Sequence, residues 1–194
     1  MNLIFLDFDG VLNSQDSYLV RHHLWNSSQR VESIACPDIT SVRLVEILVD
    51  AIDARIVISS SWRSGTSIED LRLILRNEFS FNYSNKVIGK TRPHFYDKPN
   101  EIRGDQIQHW MKMYESGNFI LDLIDLDNNY LYNDNKNYNN IDNYIILDDD
   151  SDMLECQMDH FVRTDFTSGF NFKSLQAGLR IVGMSEQDLF KSAK

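Results

Sequence analysis

The sequence predicts an α/β domain built on a mostly parallel sheet with helices on both faces. Three apolar runs of strand length each end in a polar cluster, and stripes at helical spacing lie between them. The runs are Asn2 to Leu6 leading into Asp7-Phe8-Asp9-Gly10-Val11, Arg55 to Ile58 leading into Ser59-Ser60-Ser61, and Asn143 to Leu147 leading into Asp148-Asp149-Asp150-Ser151-Asp152. In open α/β sheets ligands bind at the carboxyl ends of the strands, so these clusters mark a candidate site.

Each element follows in order. Residues 11–37 contain no long periodic segment and read as a flap-like excursion beside the first loop. Pro37-Asp38 opens a helix whose stripe is Ile39, Val42, Val45, Leu48, Val49 and Ile52. The second strand, about 55–60, leads through Trp62-Arg63-Ser64-Gly65 to a helix from about Ser67 to Asn77, with Ile68, Leu71, Leu75 and Phe79 as its buried face. A further helix spans about Gly104 to Tyr114, and Arg103 at its N-terminus is placed to reach the sheet edge. Residues 127–143 hold eight asparagines and form a polar, Asn-rich insertion. Asp125, Asp127 and Asn129 invite a calcium-loop reading, but Tyr130 and Lys136 stand where that loop needs glycine and glutamate. The chain then predicts a strand near His160 to Thr164, a turn over 165–169 and a helix from about Phe172 to Val182. No internal repeat is present, and 194 residues suit a single domain.

Composition narrows the function classes. Hydrophobic residues at 42% and charged residues at 25% are those of an ordinary globular protein. The net charge of −10 argues against broad binding to a nucleic-acid backbone, which calls for a basic footprint; only Arg21, His22, His23 and Arg30 offer a local patch. Cys36 and Cys156 have no metal or disulfide spacing and read as small apolar residues. The first apolar run stops at Asp7 and lacks a basic lead-in, so it is not a Sec-type signal, and no apolar segment approaches the ~18 residues of a membrane span. The expected compartment is cytoplasmic; export by a signal-less route leaves nothing to read.

The clusters themselves carry the chemistry. Several carboxylates at one sheet edge repel one another unless a cation neutralises them. Oxygen-only ligands of this kind suit Mg²⁺, which is held by one or two carboxylates plus substrate phosphate.

Asp7-Phe8-Asp9-Gly10-Val11, a serine after the next strand, a later basic residue and the Asp148-Asp149 pair resemble the four ordered motifs of the haloacid dehalogenase (HAD) superfamily, a Rossmann-like fold. The resemblance runs from about residue 2 to about residue 165. It implies a Mg²⁺-dependent phosphomonoesterase in which Asp7 attacks phosphorus to form an aspartyl-phosphate and Asp9 protonates the leaving group and then activates water. It also implies a metal held by Asp7, the Asp9 carbonyl, and Asp148 or Asp149. Phosphate would be held by Gly10, a serine hydroxyl and a basic residue. Ser60 fits the serine best, with Ser59 and Ser61 as alternatives. Arg103 fits the basic residue, with Lys98 as competitor, and Arg63 is placed to bind substrate beyond the phosphate.

The intervals where this superfamily inserts a cap, about 28 residues before the Pro37 helix and about 40 between Ser61 and Arg103, are too short for a substantial domain. An open site suits a macromolecular substrate. The acidic balance puts a phosphoprotein first, phosphotyrosine included. A nucleic-acid end phosphatase is the alternative, because Asp7 to Ser14 with Ser60-Ser61-Trp62-Arg63 is similar to phosphatase-like domains associated with RNA repair. A non-catalytic binding module comes last, since both motif carboxylates and the later acidic pair are present.

Overall fold

The computed structural model describes residues 1–25, 35–92, 101–116 and 140–191. Five strands, β1 (Asn2–Leu6), β2 (Arg55–Ile58), β3 (Val87–Lys90), β4 (Asn143–Asp148) and β5 (Phe161–Arg163), form one sheet in the order β3-β2-β1-β4-β5, parallel throughout. Among the described residues six α-helices accompany them: α1 (Gln15–Trp25), α2 (Ile39–Ala51), α3 (Ile68–Asn77), α4 (Arg103–Ser116), α5 (Phe172–Ile181) and α6 (Glu186–Leu189). This is the mostly parallel, Rossmann-like α/β fold that the alternating pattern predicts, with no substantial cap domain among the described residues.

Strand alternation sorts the core into two layers. Ile4, Leu6, Ile56, Ile58, Ile145 and Leu147 face α2, α3 and α5, through Val42, Val45, Leu71, Leu75, Leu175 and Leu179. Leu3, Phe5, Val57 and Ile146 face α4, through Ile107 and Trp110. Phe5 meets Trp110 edge-on, with ring centroids 5.6 Å apart. The helix starts are capped as their sequences require: the Asp38 carboxylate accepts from the N–H groups of Thr40 and Ser41, and the Ser67 hydroxyl from Asp70 N–H.

Several boundaries differ from the sequence reading. The excursion over 11–37 contains α1, whose Tyr18, Leu19 and Val20 are exposed, so no buried stripe advertises it. The second strand ends at Ile58, because Ser60 turns to cap a single 3-10 turn at Ser61–Arg63. Between that turn and Arg103, where helix and connectors are expected, β3 adds the edge strand. His160 closes a 3-10 segment, Glu155–His160, and β5 starts one residue later. Most of the Asn-rich insertion, with residues 26–34 and Lys98, lies outside the described residues; its last residue, Asn143, opens β4. No helix among the described residues is long and apolar enough to cross a membrane.

Candidate active site

Alternation along three adjacent strands builds the site. Two residues beyond Phe5, Val57 and Ile146 on the α4 side come Asp7, Ser59 and Asp148. Their backbones extend the ladders: Asp7 N–H donates to Leu147 O at 3.1 Å, and Ser59 N–H to Leu6 O at 2.9 Å. Asp7, Ser59 and Asp148 are all buried.

Arg103 joins them from α4. Its Nη1 lies 2.9 Å from Asp7 Oδ2 and 2.8 Å from Asp148 Oδ2, and it donates to Ser59 O at 2.9 Å. The start of α4 is held in place by Asp152, whose Oδ2 accepts Arg103 N–H at 2.9 Å and whose carbonyl accepts Gly104 N–H. Burial alone would lower the Arg103 pKa, but the combined pull of Asp7, Asp148, Asp152 and Asp150 raises it, so the guanidinium stays charged.

The acidic pair carries the opposite strain. Burial first, and Asp7 second, push the Asp148 carboxyl up to about 8 against the opposing effect of Arg103. Burial and Asp7 also raise Asp149. Asp7, Asp148 and Asp149 bring ligand oxygens within 4.8 Å of one another. Three carboxylates facing one cation from Arg103 leave excess negative charge, and this donor set fits a hard divalent ion.

Gly10 sits against this cluster with φ +73, and a Cβ there would overlap the Asp149 carboxyl group. Both its conformation and its closeness to Asp149 therefore require glycine. Thr164 Oγ1 donates to Gly10 O at 2.7 Å and ties the loop to the end of β5. In this geometry Gly10 seats Asp149.

Asp9 is not among the three carboxylates that share that cluster. Its Oδ1 accepts from Asn13 Nδ2 and its Oδ2 from Trp62 Nε1, both at 2.8 Å. Among the serines, Ser60 Oγ accepts Trp62 N–H, Ser61 is exposed, and Ser59 Oγ is buried with no hydrogen-bond partner. Arg63 does not reach outward as its sequence position suggested. It is buried and donates to the carbonyls of Ser59, Ser60, Thr91 and Arg92 and to Gln106 Oε1, clasping the ends of β2 and β3. Trp62 and Asn13 lie in the stretches whose likeness to RNA-repair phosphatase domains the sequence reading noted without giving either a role, and Thr164 closes a predicted strand; their bonds to Asp9 and Gly10 emerge only in the fold.

A parallel sheet whose central strand ends in a buried carboxylate, flanked by an acidic pair and answered by a helix-borne arginine, defines the HAD class. The chain belongs to the family described as the HAD domain in Swiss Army Knife RNA repair proteins, whose model matches residues 3–139. It is accordingly an HAD-type phosphatase. No curated protein and no solved structure matches the sequence. The matched span stops before β4, whose pairing with β1 brings Asp148 and Asp149 beside Asp7.

Proposed function

We propose that this phosphatase is a Mg²⁺-dependent enzyme that removes a terminal phosphate from a nucleic acid. The observation that carries the catalytic part is the junction of Asp7, Asp148 and Arg103 at the ends of β1 and β4. The substrate class rests on the RNA-repair description of the family. That description supports the nucleic-acid reading over the phosphoprotein that net charge favours.

In this reading an Asp7 carboxylate oxygen attacks phosphorus, and the bond to the ester oxygen breaks as Asp9 supplies the proton that oxygen needs. Asp9 then takes a proton from the water that attacks the aspartyl-phosphate, which releases phosphate and restores Asp7. Arg103 faces the phosphoryl oxygens and offsets their repulsion from Asp7. Ser59 is the serine best disposed to donate to phosphate, because its hydroxyl lies on the Asp7 face and has no other partner, whereas the Ser60 hydroxyl already caps Trp62. Gly10 acts by admitting Asp149. Mg²⁺, held by Asp7, Asp148 and Asp149 with the Asp9 carbonyl, would supply positive charge against the transferring phosphoryl group.

The test is phosphate release, with Mg²⁺ and with EDTA, from oligoribonucleotides phosphorylated at either end and from a phosphotyrosyl peptide. Release from an oligonucleotide end that EDTA abolishes supports the proposal. Preference for the peptide would reinstate the phosphoprotein reading.

A further inference from the structure

We infer that Trp62 is a positioning residue for the proton-transferring Asp9. This rests on the role given to Asp9 above and extends it to a residue outside the four motifs. A proton donor works only if its carboxyl group is aimed at the leaving oxygen, and a misplacement of about 1 Å can cost about a hundredfold in rate. Asp9 is half-exposed and stands in a loop, where a lone carboxylate would sample several rotamers.

Two donors hold it, one four residues along its own loop and one 53 residues away. The Trp62 indole N–H, which can only donate, reaches Oδ2, and the Asn13 amide reaches Oδ1 while its own oxygen accepts Cys36 N–H at 3.0 Å. A carboxyl group offers about four lone-pair positions, so these two bonds leave room for the transferred proton. Trp62 is itself rigidly seated. Its ring meets Phe8 and Phe79 at centroid distances of 5.6 and 5.9 Å. Its backbone N–H is bonded to Ser60 Oγ, and the next residue, Arg63, is clasped to the carbonyls of Ser59, Ser60, Thr91 and Arg92. The aim of Asp9 is thus set jointly by the end of β2, through Trp62, and by Asn13 of its own loop.

The experiment compares kcat/KM for phenyl phosphate, whose leaving group needs a proton, with that for p-nitrophenyl phosphate, whose leaving group barely does. Trp62→Phe keeps an aromatic ring on Phe8 and Phe79 and removes the N–H. It should lower kcat/KM for phenyl phosphate about ten- to a hundredfold and for p-nitrophenyl phosphate less than about threefold. The ratio of the two is unaffected by any loss of folded enzyme. Replacing Trp62 by 3-benzothienylalanine, which exchanges the N–H for sulfur in the same bicycle, should give the same selective loss. An unchanged ratio in both variants, or equal loss on both esters, overturns the inference. Wild-type turnover that persists in Asp7→Asn overturns the phosphatase assignment of these residues instead.

Discussion

At the scale of single residues, the site crowds three carboxyl groups against one guanidinium, a strain that a bound cation or a proton on one of them relieves. Asp148 is held protonated up to about 8 in the folded chain, against 3.8 for the free group. Without metal, the folded state therefore loses stability relative to the unfolded chain as pH climbs from about 4 to about 8, on the order of a few kcal/mol over the whole window. Thermal melts in EDTA should show Asp148→Asn gaining on the wild type across that window, and Mg²⁺ should stabilise the wild type more at pH 8 than at pH 5. Asp7→Asn should cost at least about a thousandfold in kcat with the fold intact, the scale on which loss of a covalent nucleophile acts. Gly10→Ala should raise the Mg²⁺ concentration needed for half-maximal activity, since its Cβ displaces Asp149, and should destabilise the protein by about 1–2 kcal/mol through the positive φ. A metal titration of activity beside a melt separates the two effects.

At the scale of elements, what the sequence reveals depends on whether an element buries a pattern of its own. β1, β2 and β4 are legible because each is buried on both faces and so reads as an unbroken apolar run. The stripes of α2 and α3 are equally plain. β3 is not, because Val87 and Ile88 are its only apolar residues before Gly89 and Lys90. The carboxylates of the site and Arg103 are readable from their positions at strand ends and at a helix start. The hold of Trp62 on Asp9 spans 53 residues of sequence and leaves no local trace. Arg63 misleads for a related reason: a buried guanidinium that satisfies carbonyls looks, in sequence, like an exposed one. Arg63→Met should remove this donor from the Thr91 and Arg92 carbonyls and from Gln106 Oε1, while Ser59 O keeps Arg103 Nη1 and Ser60 O keeps the N–H of residue 63, and should cost about 3 kcal/mol, a fall in Tm of roughly 6–12 °C for a domain of this size. Circular dichroism melts would measure it.

At the scale of the whole molecule, a net charge of −10 limits how an RNA can be held. An acidic surface neutralises few phosphates beyond the one transferred, so the oligonucleotide KM should depend weakly on salt, with a log–log slope of about 1–2 rather than the ~6–10 of a basic binder. Steady-state assays from 50 to 200 mM salt would measure that slope. The strand order has a consequence in time as well as in space. β1, which leads directly into Asp7, lies between β2, some fifty residues downstream, and β4, which begins at Asn143. During synthesis β1 emerges well before its second neighbour, and its edge stays open to wrong partners until β4 follows. Asp7 and Asp148 cannot meet earlier than that, so the candidate site assembles only once β4 has followed.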